Sequence, residues 1–111
     1  MYKEIPKLIY GTAWKKEDTK KLVEQAIKSG FKAIDTACQP RHYNEKGVGD
    51  ALVTLYKIGY KREDIFLETK FTPQNGQDPN TIPYNPNDDL ETQVKTSFEV
   101  SKKNLQTTYV D

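Results

Sequence analysis

Residues 17–36, EDTKKLVEQAIKSGFKAIDT, read as a helix that stops at a glycine and feeds a short strand. Leu22, Val23, Ala26 and Ile27 recur at helical spacing beside Lys20, Lys21, Glu24 and Lys28, which puts one apolar stripe on an otherwise solvated cylinder. Asp18 and Thr19 are the start signals, and Gly30 is placed to close the helix just past Ser29. Phe31-Lys32-Ala33-Ile34 then makes an extended run that ends at the carboxylate of Asp35. The same alternation continues on both sides. Ile5-Pro6-Lys7-Leu8-Ile9-Tyr10 is a short apolar run closed by Gly11, with its proline near the entrance, where a strand tolerates one. Downstream, Asn44 is a cap for a helix with Val48, Ala51, Leu52 and Leu55 on one stripe, ended by Gly59. Ile65-Phe66-Leu67 is the next strand, and it leads through Glu68-Thr69 to the ammonium of Lys70. Asp88 and Glu91 stand at capping-box spacing before a third helix with Leu90, Val94, Phe98, Ser101 and Leu105 on one face. Tyr109-Val110-Asp111 opens a fourth strand.

This alternation predicts an α/β fold of parallel strands joined by right-handed crossovers, with reactive groups beyond the carboxyl ends of the strands. Three polar clusters fall there: Gly11-Thr12-Ala13-Trp14, Asp35 and Lys70. Residues 72–87 carry Pro73, Pro79, Pro83 and Pro86 with Gly76, a composition that sustains neither helix nor ladder, and a loop of this length in a compact domain tends to be functional. The 111 residues allow one domain, 1–111. With 17 Lys+Arg against 16 Asp+Glu the net charge is +1, so no long-range field draws the chain toward nucleic acid. The start Met1-Tyr2-Lys3-Glu4 leads into no apolar secretion signal, and no apolar run approaches the ~18 residues that span a membrane. The single Cys38 forms no internal disulfide, so a reducing, cytoplasmic setting is expected. One Cys and one His make no metal-ligand cluster, and no metal is expected.

A lysine and a carboxylate at neighbouring strand ends form an ion pair, and a phenol beside that ammonium has its ionised form favoured. Tyr43 is the candidate phenol, with Lys70 as the cation and Asp35 holding it charged and aimed. The set suits a reaction in which a carbonyl oxygen gains negative charge and must be protonated, as when a hydride arrives at its carbon. Trp14 supplies an apolar wall for a substrate, and Gly11 lets backbone come close to a cofactor. His42 precedes Tyr43 and reads as a loop residue with no catalytic role; Cys38 reads as a small loop residue. Lys15-Lys16, Lys20-Lys21 and Lys102-Lys103 mark solvated helix faces.

In order along the chain, Gly11-Thr12-Ala13-Trp14-Lys15, Ala33-Ile34-Asp35-Thr36-Ala37, Tyr43-Asn44-Glu45-Lys46-Gly47-Val48-Gly49 and residues 62–71, REDIFLETKF, resemble the aldo-keto reductase family. The stretch from Asp35 to Tyr43 and the long Pro/Asn loop are similar to a fungal-type branch of it. The resemblance implies the N-terminal three to four βα units of a (β/α)8 TIM barrel, incomplete, that binds NADPH (NADH not excluded) and acts on a small carbonyl substrate. It implies Tyr43 as general acid, tuned by Lys70 and Asp35, with Gly11, Thr12, Trp14 and Asp35 bordering cofactor and substrate. The hairpin that plugs the barrel bottom in relatives is missing or vestigial, and the strand whose far end carries the family's catalytic histidine only begins at Tyr109. An N-terminal fragment inactive on its own is therefore expected, one that self-associates through its exposed sheet. The competing reading is a non-catalytic half-barrel module that pairs with itself or with another chain.

Overall fold

Three short strands, Tyr10–Gly11 (β1), Ala33–Asp35 (β2) and Phe66–Glu68 (β3), lie parallel in the order β1-β2-β3, as befits strands joined by helical crossovers. The computed structural model describes residues 3–111; the readings that involve Met1 and Tyr2 lie outside them. Three helices alternate with the strands: Thr19–Lys28 (α1), Glu45–Lys57 (α2) and Leu90–Leu105 (α3). α2 packs against both α1 and α3. The core lies between helices and sheet, built from Val23, Ile27, Ile34, Val48, Ala51, Leu52, Leu55, Ile65, Leu67 and Leu105.

Local chemistry accounts for the element ends. Asn44 caps α2 by accepting from the Gly47 N–H at 2.9 Å. Gly30 and Gly59 take φ of +112° and +113°, and each lets the chain fold back so that the final helical carbonyls are satisfied. Phe31 N–H donates to Ala26 O and Tyr60 N–H to Leu55 O, both at 3.1 Å. Helix α3 is capped by Asp89, which accepts from the Thr92 N–H at 2.8 Å, one residue later than the expected Asp88. Asp18 likewise makes no side-chain cap on α1; a 3-10 turn over Lys16–Asp18 leads in, and the Thr19 hydroxyl donates to Lys16 O.

Two expectations need correction, and a third face is less covered than its pattern. The first strand is Tyr10–Gly11, not 5–10, because β1 has one neighbour and only those two residues find partners on it; Ile5, Leu8 and Ile9 are exposed. The predicted stripe on α3 is buried only at Ser101 and Leu105, joined by Ser97. Leu90 (64% exposed), Val94 and Phe98 have no described element packed over them. Tyr109–Asp111 forms no strand, but its first rung exists: Asp111 N–H donates to Leu67 O at 2.8 Å. That segment is pinned by Arg62, whose guanidinium donates to Tyr109 O and Thr107 Oγ1, pairs with Asp111 at 3.1 Å and lies over the Tyr109 ring. Burial alone would raise the Asp111 carboxyl, but the Leu67 N–H with Lys3 and Arg62 holds it below the usual carboxylate range.

Small residues let α2 and α3 approach closely. A Cβ on Gly49 would stand 2.1 Å from Asn104 O and 2.9 Å from Leu105 Cα, both backbone atoms of α3 that have no flexible way to yield. Gly49→Ala is expected to lower the unfolding free energy by about 1–3 kcal/mol in urea denaturation. Gly11→Ala is the control: its Cβ meets nothing within 4 Å and should leave the urea midpoint nearly unmoved.

Candidate active site

Sheet register decides which side chains share the mouth. Tyr10, Ile34 and Leu67 are one row of Cα partners, and Gly11, Asp35 and Glu68 are the next. Successive strand residues point to opposite faces, so Ile34 and Leu67 buried under the helices leave Gly11, Asp35 and Glu68 on the other face. The β2–β3 pairing runs on past the regular strands, with Thr36 N–H donating to Glu68 O and Cys38 N–H to Lys70 O, both at 3.0 Å. Lys70 is thereby drawn alongside the end of β2. Its ammonium reaches Asp35 Oδ1 at 2.5 Å and Thr36 O at 2.9 Å. It also stands 5.3 Å from the centre of the Tyr43 ring. An ammonium has three protons, and two of them are spent on Asp35 and Thr36.

The loop after β2 delivers that ring. His42 and Tyr43 N–H groups both donate to Gln39 O, at 3.2 and 3.0 Å, and the Asn44 cap then starts α2. Trp14 joins the same mouth through His42. Its N–H donates to His42 O at 2.8 Å, and the two rings lie 3.9 Å apart. Trp14 sits at φ +64°, a left-handed conformation that turns its ring outward, leaving it 66% exposed. His42 therefore packs on Trp14. Gly11 is exposed, with open space where a Cβ would be.

Thr12, expected to border the cofactor, is fastened to the end of β2. It is wholly buried, and both its N–H and its hydroxyl donate to Asp35 O, at 3.1 and 2.8 Å. That bond ties the end of β1 to the end of β2 and uses the hydroxyl's one proton. The Pro-rich loop is braced against the mouth: Gln77 Nε2 donates to Cys38 O and Gln39 Nε2 to Gly76 O, both at 2.9 Å, while the Tyr84 hydroxyl donates to Thr72 O. Cys38 is buried beneath this loop, and desolvation pushes its thiol up.

Two residues escaped the sequence reading. Glu68 is the register partner of Asp35; its hydrogen bond to Asp35, its partial burial and the Asp35 charge together push its carboxyl up, against the opposing pull of Lys70. Period-two counting back from Lys70 would have found it, since residues 68 and 70 share a face. Glu45 is buried at the start of α2, accepting from the Thr69 hydroxyl at 2.5 Å and from Asn104 Nδ2 at 3.2 Å. Its partners lie 24 and 59 residues away, and no local pattern signals them.

A parallel α/β sheet with a lysine, a carboxylate and a tyrosine gathered beyond its strand ends defines the class of protein. The model of the Aldo/keto reductase family matches residues 7–111, and the chain belongs to that family, as its motifs implied. It is 38% identical over 69 residues to an NAD(P)H-dependent D-xylose reductase of Pachysolen tannophilus, a stretch covering 61% of this chain and 21% of that protein. The aldose reductase from Schistosoma japonicum superposes with a TM-score of 0.74 at 29% identity, covering 98% of this chain and 32% of the other. An aldo-keto reductase solved with NADPH gives a TM-score of 0.72 at 25% identity, with 98% and 32% covered. The matched stretch thus spans about a fifth of the length of such curated relatives. Among the described residues no helix is long and apolar enough to cross a membrane.

Glu68 carries a pH signature. Its carboxyl is raised in the folded state, so the stability it contributes is full below the unfolded value of about 4.3 and is lost as pH rises through the folded one. Glu68→Gln is therefore expected to melt at nearly the same temperature as the parent at about pH 4 and somewhat higher at about pH 7, read by thermal denaturation at both values.

Proposed function

We propose that the chain supplies the proton-donating side of a carbonyl-reducing site that works with NADPH, NADH being the alternative, on a small aldehyde or ketone. The observation that carries this reading is the Lys70 ammonium, fastened between Asp35 Oδ1 and Thr36 O and set 5.3 Å from the Tyr43 ring. Tyr43 gives its hydroxyl proton to the carbonyl oxygen. Lys70 places positive charge beside the phenolate that results, and Asp35 holds Lys70 in position. The residues present suit the nicotinamide end of such a cofactor. Gly11 offers bare backbone with open space above it, Lys70 engages only one Asp35 oxygen, and Trp14 presents an exposed ring. Gly11, Asp35 and Trp14 would border the cofactor, while Thr12 supports them from beneath through Asp35 O. When bound, the nicotinamide supplies the hydride. In this reading, residues 1–111 are one partial domain, three βα units and the first rung of a fourth strand of a (β/α)8 barrel. The unpaired, buried Cys38 fits a cytoplasmic setting.

Within a chain of its relatives' length, Tyr43→Phe is expected to lower kcat for an aromatic aldehyde about a hundred- to ten-thousand-fold with little change in KM. NADPH binding, followed by cofactor fluorescence, should stay close to the parent. Near-normal turnover by Tyr43→Phe would sink the proposal. The 111-residue chain alone should give no steady NADPH oxidation.

One observation favours a second reading, the non-catalytic module: Leu90, Val94 and Phe98 are exposed, and the last two line a groove of about 170 Å³ with Phe71 and Val110. Size-exclusion chromatography separates the readings. Concentration-dependent dimers without NADPH binding would support the module, whereas a monomer that binds NADPH supports the reductase half-site.

A further inference from the structure

Beside Tyr43 lies a cavity of about 300 Å³, walled on one side by Trp14 and Lys16 and on the other by residues 40–44. This volume is at the lower end of small-ligand sites. Its lining combines two chemistries. The Trp14 and His42 rings, 3.9 Å apart and tilted by 35°, make an aromatic surface. Lys16 and Arg41 are the charged residues, and no carboxylate is part of the lining among the described residues. Neither cation stands within ion-pair distance of a carboxylate among those residues.

Nearby acids do not cancel this charge from within. Glu17 and Asp18 follow Lys16 in the 3-10 turn but are absent from the lining, and Glu45 is buried on Thr69 and Asn104. The backbone that carries Lys16 is fixed in place. Lys16 sits at φ +51°, a conformation a non-glycine residue keeps only when its surroundings hold it, and its carbonyl accepts from both Thr19 Oγ1 at 2.7 Å and Asn44 Nδ2 at 3.2 Å. Asn44 is the cap of α2, so the two sides of the cavity are locked together next to the phenol. Two unpaired cations on a partly enclosed wall concentrate anions there.

We propose that this cavity is the subsite for an anionic group on the substrate, so that the carbonyl compound reduced here carries a carboxylate or a phosphate. The word substrate rests on Tyr43 being the proton donor; the binding of the anion does not. Trp14 is the only tryptophan of the chain and lines the cavity, so its fluorescence reports occupancy without any turnover.

The test titrates the protein with 4-oxobutanoate and glyceraldehyde 3-phosphate against neutral butanal and glyceraldehyde, following Trp14 emission. At least one anionic probe should bind about tenfold or more tightly than its neutral counterpart at low salt, two modest ion pairs acting together. Whichever anion binds better identifies carboxylate or phosphate as the preferred group. Lys16→Ala and Arg41→Ala should each weaken the anion about three- to fivefold and leave the neutral probe unchanged. On the parent protein the preference should shrink as salt rises from about 20 to 500 mM, where the screening length falls below the cavity's own size. Equal binding of charged and neutral probes, a preference indifferent to salt, or one that survives in the double variant would overturn the proposal. If anions bind as described but no carbonyl of any charge is reduced by a chain of full family length, the subsite stands and the reductase reading falls.

Discussion

In a parallel sheet, Cα partners present their side chains to the same face, so pairing Tyr10 with Ile34 and Ile34 with Leu67 commits the next row to the opposite one. The two apolar members of the first row, Ile34 and Leu67, are sealed under the helices. The second row, Gly11, Asp35 and Glu68, cannot then be anything but the floor of the mouth. That row puts two carboxylates side by side, an arrangement that repels if both are ionised. The Lys70 ammonium answers one of them, and the upward push on Glu68 shows the other holding its proton more tightly. A one-residue slip of β3 would bury Glu68 under the helices and turn Leu67 outward, so the apolar core and the charged cluster enforce the same register.

The loops inherit their positions from this floor. Backbone pairing carried on to Cys38 and Lys70 brings the strand ends together, and Gln39 O then collects the His42 and Tyr43 N–H groups so that the phenol arrives beside the ammonium. Thr12 closes the other side by spending its hydroxyl on Asp35 O. The long Pro/Asn loop is a brace: Gln77 and Gly76 tie it to Cys38 and Gln39, and the Tyr84 hydroxyl closes it on its own first residue, Thr72. Its many prolines lower the entropy lost on ordering, which helps a segment without regular structure stay packed.

Much of the candidate site was legible because its parts are local. A charged residue at the end of an apolar run, as at Asp35 and Lys70, marks a strand end whatever surrounds it, and Asn44 three residues before Gly47 is a cap by geometry alone. Glu45 was not legible, since its value comes from Thr69 and Asn104, which are distant in sequence. Thr12 was expected beside the cofactor on the family resemblance alone, and its burial with the hydroxyl donating to Asp35 O depends on a partner distant in sequence. The apolar stripe of α3 is a correct pattern, but Leu90, Val94 and Phe98 on it stay exposed, because periodicity says which side is apolar and not how far a neighbour extends along it.

The sequence by itself determined the alternation of strands and helices, the helix stops at Gly30 and Gly59, and the family to which the chain belongs. These follow from period, steric freedom and residue order, which act over a few positions at a time. Only the tertiary structure decided that β1 keeps two residues, that Glu68 stands beside Asp35, and that the Lys70 ammonium lies between β2 and the Tyr43 ring. Those outcomes depend on register and on burial, and both are set when separate segments compete for the same partners.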